Sequence, residues 1–586
     1  MRKWIVLLVT ALLALVVMPA SARTETAPDL ARYFPAKTAV FITFRTDPAF
    51  LDEVDAQLAK LPLAQLIPPG QPTTVRGVLD AALATENTGL NEVFAWLGDY
   101  AAYGFWPKPG LPDSQISDNW MIVAQLRDRA AAEAYLEKIA PDTLVKQTVG
   151  DYTQLGVPGG DGVFFLNDEA LFLLPANPEE VTPPAPPDPP LNSAASFVSA
   201  VNALPAASYN ALLYLLPGVI PQTDEQAALL FKDAGALLIG LTVLDNSVLT
   251  IDSVQLRGKS GDPAPAPAVD LAFAQYIPSN ASAVIQGTDL NNLYGNLLNL
   301  ILQTSQDTTT DPADQLSMGL RMMGLDLQKD LLNWMTGDFA LFMRTDALAI
   351  LNGALNGQVD LTGKLDFGLV FEATDPAAAQ GLATKLDLLL KQAATNGQGV
   401  SVSNDTIGGT PVTLLQVDIP ASSGLSLSLE LALGANDHIF FVATRSAAQT
   451  ILTGDGILSR DPTFTAAQAY FLPNTSTVWY TNGEGAVGTV GGMGLTTGFM
   501  LVGPAIGNVF NNIVTELDGA GSTQATPTPR PTLSPAEQVF GAGMTAERVN
   551  GLVTDLIAAV NHASITSTVT ADGVSQVRMV LQLQGE

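Results

Sequence analysis

The sequence predicts an α+β fold built as a tandem duplication, in which two similar repeats each contain a mostly antiparallel sheet with helices packed on one face. Three observations support this prediction. A proline motif that introduces strands occurs four times, further landmarks follow it in the same order in both halves, and the composition is that of a globular chain rich in turns. Of the 586 residues, 47% are apolar, 14% are charged and 50 are glycine, which argues against disorder.

The proline motif consists of an apolar pair, a proline, a few small or polar residues and then an apolar run. Its copies contain Pro35, Pro205, Pro278 and Pro473. Proline fixes φ and biases the residue before it toward extended geometry, so it suits the entry into a strand. A strand is therefore expected shortly after each of these prolines.

Aspartates predict where helices begin. Asp47 precedes Pro48, which is the pattern of an N-cap followed by proline at the first helical position, and Asp289 follows the corresponding strand of the second half. Asp128 and Asp375 each follow an apolar run and precede an alanine-rich stretch, so they also read as N-caps.

A Gly-Asp-aromatic triplet marks another recurring landmark, at 98–100 and at 337–339. Its aspartates, Asp99 and Asp338, stand in equivalent places of the sequence motif. We interpret them as part of a turn at a helix end, because aspartate is common in turns. The alternative is that they form a general acid and base pair across a duplicated cleft.

The collinear order of these landmarks divides the chain. Residues 1–22 read as a signal peptide, 29–258 as repeat 1, 259–270 as a Pro/Ala-rich linker and 271–586 as repeat 2. A Thr/Pro-rich insert at about 520–536 within repeat 2 is expected to be disordered.

The first residues have the features of an export signal. Arg2 and Lys3 precede an apolar run from Trp4 to Val17, and Ala20–Ala22 forms a small-x-small cleavage site. We expect cleavage near Ala22 and an extracytoplasmic location, either secreted or associated with the cell envelope. The alternative is an uncleaved N-terminal anchor.

The proline-then-strand start, the Trp…Gly-Asp landmark and the Asp-x-Ala-Ala-Ala helix start together resemble an exported bacterial family known as domain of unknown function 3352. The resemblance covers nearly the whole chain after the signal segment. It implies a location outside the cytoplasm. It implies no known activity and assigns no catalytic residues.

Charge and composition exclude several function classes. The formal net charge is −30, so the surface repels nucleic acid and anionic lipid head groups. The chain contains no cysteine, which excludes disulfides, thiolate metal sites and cysteine nucleophiles.

Catalytic and metal-binding motifs are missing from the sequence. The two histidines, His438 and His562, have no second histidine at ligand spacing, and there is no Gly-x-Ser-x-Gly or Ser-x-x-Lys. We therefore expect no cofactor, no metal and no catalytic residues that a motif would reveal, and we lean toward a protein that is not an enzyme.

The segment Gly485–Thr515 is unusual because it carries no charge. At its centre lie the apolar residues Phe499, Met500, Leu501 and Val502. A buried helix is the favoured interpretation, a surface that faces lipid or a partner is the second, and a membrane span the third, because glycines and Pro504 dilute the hydrophobicity. After signal cleavage we expect no spanning segment.

Three functions remain open. The leading hypothesis is a non-catalytic binding or envelope-associated protein. The second is a carrier of a lipid or other apolar ligand between the two repeats, which predicts an apolar cavity. The third is a hydrolase or inhibitor that uses dispersed carboxylates, which predicts a polar cleft that includes Asp99 or Asp338.

Overall fold

A computed structural model describes most of the chain. The described residues are 27–62, 71–84, 87–107, 119–139, 144–157, 162–175, 182–206, 208–217, 235–244, 247–256, 267–290, 318, 320–321, 324–355, 359–360, 362–396, 400–419, 425–490 and 546–584.

The strands of the described residues are β1 (Val40–Arg45), β2 (Leu97–Phe105), β3 (Trp120–Leu126), β4 (Val145–Val149), β5 (Tyr152–Gly156), β6 (Val163–Leu166), β7 (Ala170–Leu174), β8 (Ala211–Leu215), β9 (Leu237–Leu244), β10 (Val248–Gln255), β11 (Ala283–Thr288), β12 (Asp338–Thr345), β13 (Val359–Asp360), β14 (Leu365–Glu372), β15 (Val400–Ile407), β16 (Thr410–Ile419), β17 (Leu425–Ala435), β18 (Ile439–Thr444), β19 (Thr477–Asn482), β20 (Val560–Val569) and β21 (Ser575–Leu583).

The α-helices are α1 (Pro48–Leu58), α2 (Val75–Ala84), α3 (Leu90–Phe94), α4 (Arg129–Ile139), α5 (Ala195–Ala203), α6 (Ala347–Leu355), α7 (Pro376–Asn396), α8 (Arg445–Thr453), α9 (Pro462–Ala467), α10 (Gly483–Val490) and α11 (Ala546–Ala559). Short 3-10 turns cover Ala27–Tyr33, Leu191–Ser193, Leu271–Tyr276, Leu458–Arg460 and Gln468–Tyr470, and a π-helical turn covers Leu327–Leu332.

The described residues fall into two compact units. The first contains those within Met1–Pro265 and Val569–Glu586, and the second those within Ala266–Thr568. Strand β21 therefore lies in the first unit, although the sequence-based repeat 2 at 271–586 includes it. The repeat boundaries themselves remain predictions.

The first unit contains an antiparallel sheet in the order β4-β5-β6-β7-β3-β2-β1-β8-β9-β10-β21. The second contains an antiparallel sheet in the order β15-β16-β17-β18-β14-β12-β11-β19-β20. The short β13 pairs with β17 in parallel. The predicted α+β class with a large antiparallel sheet is confirmed. Counted from β4 in the first sheet and from β15 in the second, the first nine strands have the same relative chain order in both units.

The strands that follow the proline motifs lie at the centre of these sheets. Strands β1 and β8, which follow Pro35 and Pro205, are neighbours in the first unit. Strands β11 and β19, which follow Pro278 and Pro473, are neighbours in the second. The sequence motif thus predicted four strands correctly, and the pairing adds that they lie at the centre of the sheets.

The predicted N-caps are present. A carboxylate oxygen of Asp47 accepts a hydrogen bond from the Phe50 N–H at 3.0 Å, and Asp128 and Asp375 cap α4 and α7 in the same way. These bonds satisfy N–H groups that have no partner within the first helical turn. The helix predicted after Asp289 lies almost entirely outside the described residues.

Helices cover both faces of the first sheet, which corrects the prediction that they pack on one face. Phe197 of α5 packs against Phe41 of β1, with ring centroids 5.8 Å apart. Phe50 of α1 packs in the same cluster as Phe44, on the opposite face of β1. The reason is that β1 carries large apolar residues on both faces, so each face needs its own cover.

Candidate binding surface

The strands of the first unit have a second apolar face, opposite its main core. On β8 the core-facing residues Leu212 and Tyr214 alternate with Leu213 and Leu215, which stay partly exposed. Strands β9 and β10 show the same alternation. An antiparallel sheet usually presents polar residues on the face away from its core, so this second apolar face is unusual.

The strand register aligns these apolar residues into rows. Leu213 pairs with Ile239 on the next strand, and Leu215 pairs with Leu237. Further along the sheet, Ile251 of β10 pairs with Met579 of β21. Paired residues point to the same side of a sheet, so these apolar residues share one face. On that face Ser253 of β10 lies between Ile239 and Val577, and Gln255 of β10 pairs with Leu237.

Among the described residues, helices cover one end of this second face. Residues of α1, α2 and α3 pack there in a cluster with Phe44, Ile122 and Val243. Beyond that end, apolar residues of β1, β8, β9, β10 and β21 belong to no core cluster of the described residues, and eight of them define the open face. The open face consists of Val40, Leu213, Leu215, Leu237, Ile239, Ile251, Val577 and Met579.

The open face is wide and uncharged. It extends from β1 to β21, which is four strand spacings or about 19 Å. Ile251 is 39% exposed and Met579 is 44% exposed. The strand residues on this side include no Asp, Glu, Lys or Arg, although the chain carries a net charge of −30. Exposed apolar patches of this kind mark interaction sites more often than they occur by accident.

The second unit has a related apolar row. It crosses six strands and is partly exposed along its length, with Leu369 the most exposed. The row consists of Ile565, Trp479, Ile285, Leu341, Leu369 and Val442.

The apolar residues Phe499, Met500, Leu501 and Val502, predicted as a ligand or partner surface, lie outside the described residues. Within the described ranges, no helix is long and apolar enough to cross a membrane. The same part of the chain contains no group of three or more His, Asp or Glu residues that is arranged to hold a metal ion.

Asp99 and Asp338 do not occupy equivalent places in their sheets. The Asp99 carbonyl accepts a hydrogen bond from Thr46, and the Gly337 carbonyl accepts the matching bond from Asp289. The N–H of Tyr100 donates to the Gln125 side chain at 3.1 Å, and that of Asp338 donates to Glu372 at 3.0 Å. By register, therefore, Asp338 corresponds to Tyr100, one residue beyond Asp99.

This shift by one residue puts the two carboxylates in different environments, because successive strand residues point to opposite faces. Asp99 is exposed and forms an ion pair with Arg127 at 2.9 Å. Asp338 is buried and accepts the Asp270 N–H at 2.8 Å. The two lie in separate units, and their role as an acid pair remains a prediction.

The surroundings of Asp338 change its acidity. Burial raises the pKa of Asp338 to about 6; the hydrogen bond from Asp270 opposes the rise and the Glu372 carboxylate adds to it. Gly337 leaves the space for Glu372, since a Cβ at that position would lie 2.2 Å from a carboxylate oxygen. The arrangement anchors the turn at Leu271–Tyr276 to β12.

Sequence reasoning missed the open face. Its signal is the run of consecutive apolar residues in β8 and β9, for which the sequence predicted only a strand after Pro205 and one arm of a hairpin. A continuous apolar strand within an antiparallel hairpin indicates that both faces of the sheet are apolar, without showing whether the second face is covered.

Comparisons with known proteins give a family and no activity. A solved structure, crystal form I of TP0453, is 10% identical, with 46% of this chain and 86% of that chain covered and a TM-score of 0.22, which is too low to support an argument. No curated protein matches the chain in sequence. A family model described as a protein of unknown function, DUF3352, matches residues 184–513. Because that match spans more than half of the chain, this protein belongs to the DUF3352 family.

Proposed function

We propose that this protein is an exported, non-catalytic binding protein of the cell envelope that holds an acyl chain on the open face of its first unit. The observation that carries the proposal is the set of partly exposed aliphatic side chains that β1, β8, β9, β10 and β21 present on one face of the sheet. The signal-like residues 1–22 support export and cleavage near Ala22.

The dimensions and charge of the open face favour an acyl chain. One bilayer leaflet holds acyl chains over roughly 15 Å, half of the hydrocarbon core. The open face, about 19 Å wide, accommodates this length. An uncharged aliphatic surface on a strongly acidic protein offers no ion pair to a charged peptide, so it selects an apolar ligand.

We further propose that the two units are tandem copies of one ancestral repeat. The common order of the first nine sheet positions supports this proposal. The matching backbone hydrogen bonds also support it: the N–H groups of Thr46 and Asp289 donate to corresponding carbonyls of the neighbouring strand. Both residues lie the same distance after a motif proline. A duplication would explain why both units present an apolar row.

A binding experiment tests the acyl-chain proposal. We expect a fluorescent long-chain fatty acid to bind the purified protein. We expect Ile251→Asp or Met579→Asp to abolish the binding, because a carboxylate on the open face would lose hydration on contact with the acyl chain. Val145→Asp is the matched control, since Val145 is 52% exposed on β4 and lies away from the open face. Circular dichroism would verify that each variant is folded.

Native mass spectrometry of protein from its own envelope fraction provides the second readout. A stoichiometric lipid supports the proposal, and the same mass shows whether Arg2 and Lys3 remain attached. Unchanged fatty-acid binding in the Ile251 and Met579 variants contradicts the proposal, as does a co-purified protein bound in place of lipid.

A further inference from the structure

The side of β10 and β21 that carries the open face changes in character along the strands. Alternate residues point to this side, which are Leu249, Ile251, Ser253 and Gln255 on β10 and Ser575, Val577, Met579 and Leu581 on β21. The strands are antiparallel, and Gln255 pairs with Ser575 whereas Ile251 pairs with Met579. Polar residues therefore meet at one end of the strand pair, and aliphatic residues meet at the other.

The polar end consists of Ser253, Gln255 and Ser575, which we call the polar corner. Gln255 pairs directly with Ser575, and Ser253 lies diagonally from Ser575 because it pairs with Val577. Gln255 is exposed and the two serines are partly exposed. Amide and hydroxyl groups both donate and accept hydrogen bonds, so the corner offers donors and acceptors at the border of an aliphatic surface.

The polar corner differs from an ordinary solvated sheet end because exposed aliphatic side chains continue from it. Ile251 and Met579 are the most exposed residues of the open face. They lie four residues from Gln255 and Ser575 along the same strands, which corresponds to roughly 13 Å. Acyl chains in one bilayer leaflet extend over roughly 15 Å. A chain whose head lies at the polar corner can therefore reach both aliphatic residues.

The two ends of this surface differ in what they offer to the head of an acyl chain. A carboxyl or ester group has two oxygen atoms that accept hydrogen bonds, and the Gln255 amide and the serine hydroxyls can donate to them. Beside Ile251 and Met579 the same oxygen atoms would lose water without gaining a donor, which is unfavourable. The methyl end of the chain has the opposite preference, because contact with aliphatic side chains removes apolar surface from water.

We propose that the polar corner binds the carboxyl or ester oxygens at the head of the acyl chain, so that the chain runs along β10 and β21 with its methyl end at Ile251 and Met579. This inference rests on the proposed function, because it assigns a head-group subsite and an orientation to the same ligand. A free fatty acid and a glycerol ester share the acyl oxygens that the corner recognises.

Photo-cross-linking on the full chain tests the orientation. The probes are two long-chain fatty acids, one with a diazirine beside the carboxyl group and one with a diazirine near the methyl end, together with the monoacylglycerol of each. We expect mass spectrometry of the labelled peptides to find the head-labelled probes on the polar corner and the tail-labelled probes on Ile251 and Met579. The relative labelling by acid and ester shows which head group the corner prefers. The reverse pattern, or the same pattern for both diazirine positions, would overturn the proposal.

A variant with an apolar corner tests the role of the polar side chains. In Ser253→Val/Gln255→Leu we expect the affinity for both acid and ester to fall about tenfold, since hydrogen bonds to the head are lost. Head-labelled and tail-labelled probes should then label both ends of the strand pair alike. Gln147→Leu/Thr148→Val, on the exposed strand β4, is the matched control and should keep the affinity and the labelling pattern. Unchanged affinity and labelling in the corner variant would contradict the subsite.

The same probes separate failure of the subsite from failure of the proposed function. If no probe binds or labels the natural protein, the acyl-chain proposal fails and the subsite fails with it. If the probes bind and Ile251→Asp abolishes the binding, but labelling does not depend on the position of the diazirine, only the subsite and its orientation are overturned.

Discussion

At the residue scale, Asp338 makes stability depend on pH in an unusual direction. The folded pKa of about 6 lies above the ordinary value of 3.8. Such a group stabilises the fold below its unfolded pKa, and this contribution is lost as the pH rises through the folded pKa. The loss between pH 4 and pH 6 amounts to about 3 kcal/mol of unfolding free energy.

Asp338→Asn therefore should stabilise the protein at pH 7.5 by about 1–3 kcal/mol and should have little effect below pH 4. The amide oxygen can still accept the Asp270 N–H. Urea unfolding at both pH values measures the difference. Asp99→Asn, in the exposed ion pair with Arg127, is the control and should change stability by less than about 1 kcal/mol at either pH. Destabilisation by Asp338→Asn at pH 7.5 would refute this account.

His562 makes stability depend on pH in the opposite direction to Asp338. Its side chain is fully buried, neither ring nitrogen has a partner among the described residues, and burial lowers its pKa to about 4 from 6.5. The unfolded chain binds a proton below pH 6.5 and the folded one does not, so stability falls as the pH drops toward 4. The expected loss is about 3 kcal/mol.

His562→Phe removes this proton-linked loss. A phenyl ring preserves the stacking on Tyr480, whose ring centroid lies 6.0 Å from that of His562. We expect the variant to lose less stability than the natural protein between pH 6.5 and pH 4, as measured by chemical denaturation across that range. Parallel pH profiles of the two proteins would show that His562 does not titrate as described.

At the element scale, a buried ion pair holds the last strand on the first unit. The Arg578 guanidinium of β21 contacts both oxygens of Asp252 on β10, at 2.6 and 2.9 Å. Asp252 is fully buried and also accepts the Tyr209 hydroxyl at 2.7 Å. Burial beside this carboxylate raises the pKa of Tyr209, so its hydroxyl stays a donor.

Arg578→Met should destabilise the first unit by about 3–5 kcal/mol, because it leaves a buried carboxylate without its cation. The double variant Asp252→Leu/Arg578→Met should recover much of the loss, since neither charge remains. Urea unfolding gives the energies, and amide hydrogen exchange shows whether β21 opens. Arg127→Met, in an exposed pair, is the control with an expected cost below about 1 kcal/mol; a similar cost for Arg578→Met would contradict the anchoring role.

At the scale of the whole molecule, the chain combines an acidic surface with apolar sheet faces. A net charge of −30 favours solubility through repulsion between copies of the chain. On such a surface, an uncharged ligand gains the most favourable burial free energy when it binds to the open apolar rows.

Local chemistry in the sequence determined many of the elements. The prolines predicted four of the strands and the aspartates predicted helix starts, because φ restriction and capping act within a few residues. The missing cysteines exclude disulfides in any fold. The sequence also predicted the antiparallel α+β class, since strand and helix periods are local properties.

Tertiary structure alone decided which surfaces stay open. The register separates Asp99 from Asp338 by one residue, and a shift of one residue reverses the face to which a strand side chain points. Long-range pairing places β21 beside β10, and within the described part of the chain α1, α2 and α3 cover one end of the second sheet face. Cover depends on residues far apart in the chain, which is why composition and periodicity show that a strand is apolar but not whether it is buried.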